Sequence, residues 1–282
     1  MMSLQSILNS QCSWAGTRPR KGVALDRLED NLFASLHPLT LADFVGGSGD
    51  ELGLKRRSNR VPNMRSLRSS SILVCNVFDP WRGHSLDGLA RALGLQGPFS
   101  DLAFEQKLPH GLSSGPPNLD VLLSAREVAP VGVESKFTEI YGRKKPRFPI
   151  DEKYFSSGRR RWAEVGLPCM QKLAETLGRS VQFRRLDAAQ LLKHSLGLAF
   201  TFRQTRPVRL LYIWFEVPGQ EAEEHREELA RFEKTIGTDI EFYVTRYQDV
   251  FTRLAETPEP VQGYLEYLAS RYFAAQHGVA PD

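Results

Sequence analysis

The stretch Asn118-Leu119-Asp120-Val121-Leu122-Leu123, followed after seven residues by Val131-Gly132-Val133-Glu134-Ser135-Lys136-Phe137, decides how this chain reads. Both segments are apolar, rich in Val and Leu, and bounded by turn-forming residues, which marks them as strands. Side chains two apart on a strand share a face. Glu134 and Lys136 therefore project together. Ser135 points away and offers its main-chain carbonyl near the edge of the same place, while Val131, Val133, Ser135 and Phe137 form a packed face. On the neighbouring strand Leu119, Val121 and Leu123 alternate with Asn118, Asp120 and Leu122, so a matching register brings Asp120 beside Glu134.

Two carboxylates and a lysine then converge. Like charges repel and are costly to bury without a partner, so a divalent cation between them makes the arrangement physically sensible. Oxygen-only donors favour Mg²⁺ or Mn²⁺. Asp120, Glu134 and the Ser135 carbonyl are the expected ligands. A metal held there binds a phosphate oxygen and lowers the pKa of a water, while Lys136 holds or polarises the attacking water. The expected chemistry is phosphodiester hydrolysis.

Outward from this centre, Asp101 to Leu108 reads as a strand preceding the other two, and the third strand extends from Val131 to Tyr141. Met64 to Phe78 reads as a packed helix stopped by Asp79-Pro80, and His84 to Leu93 as a second helix with Ser85 as N-cap. Helical patterns follow over Arg160 to Leu177 and over Asp187 to Phe202, the second capped by Asp187. Val208 to Val217 is apolar almost throughout, as a strand covered on both faces must be. Glu221 to Lys234 reads as a charged surface helix, Ile240 to Val244 as a fifth strand, and Val261 to Ala275 as a closing helix. The order describes an α/β domain on a mixed sheet: an N-terminal arm over 1–63, a core over 64–217, and a C-terminal extension over 218–282 packed on that core.

At 282 residues with 41% hydrophobic content, the chain has enough material for a substantial core. No apolar run is long enough to span a membrane. Three distant cysteines, Cys12, Cys75 and Cys169, form no CxxC pair, so neither a disulfide framework nor a cysteine-rich zinc site is indicated, and a cytoplasmic location is expected. The six histidines are scattered, and Gly46-Gly47-Ser48-Gly49 lacks the Gly-Lys-Ser/Thr continuation of a P-loop.

Asp120, thirteen intervening residues and Glu134-Ser135-Lys136, lying on strands after an N-terminal helix, resemble the active-site signature of the PD-(D/E)xK nuclease superfamily. With Ser69 to Phe78, Phe104-Glu105, Asn118 to Leu123 and Val133 to Glu139, the text is similar to a bacterial subgroup described as restriction-endonuclease-like. The resemblance covers about residues 64 to 217. It implies an αβββαβ core and a metal-dependent nuclease, with Asp120 and Glu134 as metal ligands and Lys136 as the catalytic lysine. Leu119 stands directly before the aspartate, with Pro117 two residues further upstream. Glu105, on the adjoining strand, is a candidate further metal carboxylate. Gln190 and His194, four apart on one helix face, are candidates to orient the lysine or the substrate.

The net charge of +4 and pI of about 9.0 say little until resolved along the chain. Arg143, Lys144, Lys145, Arg147, Lys153, Arg159, Arg160 and Arg161 face only Asp151 and Glu152, directly after the third strand. A phosphate backbone is the matching partner, so Arg143, Lys144, Lys145, Arg147, Arg159, Arg160 and Arg161 are expected to contact double-stranded DNA. The interleaved Phe148, Tyr154, Phe155 and Trp162 either stack on bases or pack in the interior. Glu221, Glu223, Glu224, Glu227, Glu228 and Glu233 read as a solvated helix face. A homodimer fits double-strand cutting. Two rival readings remain: a catalytically inactive nuclease fold that binds DNA or a protein, and an enzyme acting on a phosphate-containing small molecule.

Overall fold

The computed structural model describes residues 2–16, 23–47, 50–53, 62–112, 115–142 and 150–273. Its centre is a five-stranded sheet in the order β1-β2-β3-β4-β5. The strands are β1 Asp101–Lys107, β2 Asn118–Ser124, β3 Val131–Lys136, β4 Arg209–Trp214 and β5 Glu241–Arg246. β1, β2 and β3 form an antiparallel meander, whereas β3, β4 and β5 run parallel. The short connections permit the first arrangement and the helical crossovers the second. The helices are α1 Met2–Trp14, α2 Pro38–Gly46, α3 Ser70–Phe78, α4 Asp87–Leu93, α5 Arg161–Glu164, α6 Pro168–Thr176, α7 Ala188–Thr201, α8 Gln220–Ile236, α9 Tyr247–Leu254 and α10 Tyr264–Leu268.

Both faces of the sheet are covered. Glu134, Tyr212 and Val244 are neighbours across β3, β4 and β5. Glu134 meets His194 of α7 and Tyr212 meets His225 of α8, which places α7 and α8 on one face. On the other, Ser135 meets Tyr247 at the start of α9, and Phe137 packs edge-on against Phe215 and Tyr272. β3 and β4 are buried at every position, as expected for strands enclosed by helices. Each buried Val, Leu or Ile there stabilises the fold by about 1.5–3 kcal/mol. No helix among the described residues is long and apolar enough to cross a membrane.

Several boundaries differ from the sequence reading, each for a local reason. β3 stops at Lys136, because the Glu139 side chain accepts a hydrogen bond from the Phe137 N–H at 2.8 Å and the chain tightens into a 3₁₀ turn over Glu139–Tyr141. The single helix expected over Arg160 to Leu177 is two, α5 and α6. Gly166 adopts a left-handed φ of 82°, and Pro168 opens α6 where its missing N–H costs nothing. The helix expected from Met64 begins at Ser70, after a 3₁₀ turn over Asn63–Arg65. The helix expected from His84 begins at Asp87, with Leu86 rather than Ser85 at its N-cap; Ser85 accepts the Asp87 N–H at 3.3 Å in the turn before it.

The closing helix is short and passes into a π-helical turn over Ala269–Phe273, and α9, in a stretch to which the sequence reading assigned no element, precedes it. Within the N-terminal arm, α1 is tied to the far end of the chain: the buried Arg271 guanidinium reaches Gln11 and Asn31 and lies over the Trp14 ring. Glu228 departs from the solvated face assigned to it. Its carboxylate is buried and accepts N–H groups of Arg184, Arg185 and Leu186 at 2.6–2.8 Å, which replace its hydration.

Candidate active site

The β2–β3 ladder pairs Val121 with Val133, and the same register one residue on sets Asp120 opposite Glu134. The Ser135 N–H donates to Asp120 Oδ2 at 2.7 Å. Lys136 Nζ ion-pairs with Glu134 Oε1 and donates to Gln190 Oε1 at 3.0 Å. Nε2 of His194 lies 2.9 Å from Glu134 Oε2, and neither of these buried atoms has a hydrogen bond to any other group. Gln190 and His194 stand one turn apart on α7. The Asp187 carboxylate fixes the start of that helix by accepting the Gln190 N–H at 3.0 Å. Four residues from three elements thus meet: Asp120, Glu134, Lys136 and Gln190, with His194 behind Glu134.

The electrostatics divide the two carboxylates. Burial, and then the nearby Glu134, push the Asp120 carboxyl well above its usual range, against the opposing pull of Lys136. Burial works the same way on Glu134 but is outweighed by Lys136 and His194, which hold that carboxyl below its usual range. Burial opposes the Lys136 ammonium, and Glu134, Glu139 and Asp120 together overcome it and raise its pKa. Environments that push paired acids apart are the usual basis of divided catalytic roles.

Glu105 faces the same cluster from β1. Its flanking residues Phe104 and Gln106 pair with Val121 and Leu119 of β2, but Glu105 itself has a φ of 50°. A left-handed backbone at a non-glycine residue inside a strand is strained and needs surrounding structure to hold it. Here Asn118 donates to the Glu105 carboxylate, and Gly47 packs closely against the side chain. Burial, then Glu51 and Glu134, raise its carboxyl to about 7, partly offset by Asn118.

The remaining residues singled out from sequence fall elsewhere. Arg143, Lys144, Lys145 and Arg147, with Phe148, lie outside the described residues. Arg159 is held by the Glu164 carboxylate at 2.9 and 3.0 Å, Arg160 approaches Glu175 at 3.7 Å, and Arg161 donates to the Gly111 carbonyl at 3.2 Å. Tyr154 and Trp162 are stacked together in the interior, with the Trp162 indole N–H bonded to Leu192 O at 2.8 Å, so neither offers a face to a base.

Sequence reasoning missed three participants. Tyr247 closes the reverse side of the site through its 2.7 Å hydrogen bond to Ser135. Asn118 restrains Glu105, a contact that the strand alignment could have revealed. Glu51, held by Ser71 at 3.2 Å and Asn63 at 3.3 Å, adds negative potential at Glu105, and nothing in its local sequence announces this.

Among the described residues no three His, Cys, Asp or Glu side chains are grouped to hold a metal. A metal at this site would rest on two carboxylates and main-chain oxygen.

The mixed sheet, flanked by helices on both faces and carrying its acids on β2 and β3, defines a restriction-endonuclease-like protein. The chain belongs to the family described as "Restriction Endonuclease associating with ARP", whose family model matches residues 43–273. That span includes the end of α2, Glu51 and α9, beyond the 64–217 segment of the resemblance. No curated protein and no solved structure matches the chain.

Proposed function

We propose that the protein is a metal-dependent DNA endonuclease that hydrolyses phosphodiester bonds. The observation that carries this reading is the meeting of Asp120, Glu134 and Lys136, with the Lys136 ammonium bridged between Glu134 and Gln190. Membership of a restriction-endonuclease family supports it.

The residues present fit Mg²⁺ or Mn²⁺. Asp120, Glu134 and the Ser135 carbonyl are hard oxygen donors. Oε2 of Glu134 is buried without a hydrogen bond, and Asp120 resists ionisation beside a second carboxylate; a cation relieves both. When bound, it supplies charge neutralisation at a phosphate oxygen and a water of lowered pKa.

Lys136 has three donors, of which Glu134 and Gln190 engage two, leaving one for a phosphate oxygen or the attacking water. Because these partners fix the ammonium beforehand, its charge is in place before the transition state forms. Glu105, with a carboxyl near 7, is suited to exchange a proton at neutral pH. DNA is the proposed substrate, with two copies of the chain serving a double-strand cut. ARP, the associate that the family description names, is a proposed partner.

Plasmid DNA incubated with Mg²⁺ tests the reading. Cleavage by the wild type should fall by about 100-fold or more in Asp120→Asn, which keeps an acceptor for the Ser135 N–H, and in Lys136→Ala. Equal cleavage by all three proteins removes the proposal. DNA binding that ignores chelators, with no cleavage of any substrate, selects instead a nuclease fold retained only for binding.

A further inference from the structure

A second polar cavity lies further along α7. His110 from the loop after β1, Arg159, Arg161, Glu164 and Val165 from the α5 region, Leu196 and Phe200 of α7, and Arg203 enclose about 170 Å³. At about 30 Å³ per water in the liquid, this is room for about five or six water-sized groups. A phosphate, with one phosphorus and four oxygens, is of that order.

His110 is 2% exposed, and neither ring nitrogen has a hydrogen-bond partner. Its ring sits edge-on to Tyr154 at 5.5 Å. Buried polar groups are nearly always bonded, and each exception calls for an explanation. Nε of Arg161 is likewise buried and unbonded, although its Nη1 reaches the Gly111 carbonyl. The Arg203 guanidinium lies over the Phe200 ring at 4.0 Å, a cation–π contact that consumes none of its N–H donors. Three guanidiniums face one carboxylate in this lining, and Glu164 is already engaged by Arg159.

We propose that this cavity is a phosphate-binding site, distinct from the catalytic centre, in which Arg161, Arg203 and His110 grip the oxygens of a DNA backbone phosphate or of a terminal phosphate. Planar guanidiniums match tetrahedral oxyanions in geometry and charge. Burial, then Lys153, Arg161 and Lys193, hold the His110 imidazole below its ordinary pKa, so the neutral ring offers one donor and one acceptor and the cationic field around it awaits an anion. Six residues separate His194, beside Glu134, from Phe200. At 1.5 Å and about 100° per residue that is about 9 Å along α7 and about 240° around it. The cavity therefore opens on another side of α7 from Glu134, uses no catalytic residue and stands whether or not the protein cleaves.

The full-length protein in EDTA, where no hydrolysis occurs, tests this. Calorimetric titration with inorganic phosphate should show binding that weakens at least tenfold in Arg161→Gln/Arg203→Gln and in His110→Phe. Arg203 is exposed, so the single Arg203→Gln variant, with unchanged thermal stability, guards against a folding artefact. Lys172→Gln/Arg179→Gln, which removes equal charge from the exposed surface around α6, should leave phosphate binding unaltered. Anisotropy with a 12-base-pair duplex bearing 5′-hydroxyl or 5′-phosphate ends identifies the source. Weakening of both duplexes marks a backbone phosphate, and weakening of the phosphorylated one alone marks a terminal phosphate. No binding of phosphate by the wild type, or equal loss in both double variants, overturns the proposal, and neither result bears on the plasmid cleavage that tests the nuclease.

Discussion

The two faces of β3 are built from consecutive residues and follow opposite rules. Toward α7, Glu134 and Lys136 carry buried charges, an acid pair with Asp120 and a carboxylate oxygen that no hydrogen bond satisfies. Toward α9, Ser135 is closed by Tyr247 and Phe137 is packed between Phe215 and Tyr272. The reverse face resembles an ordinary interior, satisfied and aromatic. At β3 the unmet polarity lies on the side of the acids, toward which β1, beyond β2, adds Glu105 with its left-handed backbone. A protein selected for stability alone would not keep this face, since apolar replacement of buried ion pairs is often neutral or favourable. The contrast is itself an argument that the charged face has a task.

The comparison is broken most severely at Lys136. Lys136→Ala leaves the buried Glu134 carboxylate without its ammonium and should cost about 3–5 kcal/mol of stability, together with cleavage. Glu134→Gln/Lys136→Met, which removes both charges, should recover most of that stability in denaturant melts and none of the cleavage. Full recovery of both would place the chemistry elsewhere.

A somewhat smaller effect is expected at Glu105 and depends on pH. Its carboxyl is raised from 4.5 to about 7, so the native state binds more protons than the unfolded chain between those values, and stability falls as pH rises through that window. The ionised side chain then costs up to about 3 kcal/mol above pH 7. Glu105→Gln should melt above the wild type at pH 8 and alongside it at pH 4. A difference that persists at pH 4 would assign the gain to something other than charge.

The least effect belongs to the reverse face. Tyr247→Phe removes one neutral hydrogen bond and should lower stability by about 1 kcal/mol, with cleavage preserved at temperatures far below the melt. A large fall in cleavage without loss of stability would show that the reverse face takes part in the chemistry through Ser135.

Strand alternation made most of this contrast legible beforehand. It separated Glu134 and Lys136 from Ser135, and the helical spacing of four put Gln190 and His194 where they meet Lys136 and Glu134. The mixed α/β sheet followed from the apolar run that became β4 and from the alternating strands before it. What stayed hidden depends on contacts between distant segments. Helix α9 begins directly at the end of β5 with no glycine or proline to mark it, so Tyr247 could not be placed behind Ser135. The Arg271 bridge to Gln11 and Asn31 spans at least 240 residues, and no local pattern encodes such a tie. Glu228 reads as one more acid on a charged helix, and only the loop over 184–186 shows why it is buried. The strain at Glu105 is equally silent, because its residue type favours an ordinary strand conformation.

The most direct test is a crystal of the full-length protein soaked in Mn²⁺ and measured for anomalous scattering. The account predicts one ion about 2.1 Å from oxygens of Asp120, Glu134 and the Ser135 main chain, lost in Asp120→Asn. A saturating soak that leaves this place without an anomalous peak, or puts the ion on other residues while Asp120 and Glu134 keep their positions, would contradict it.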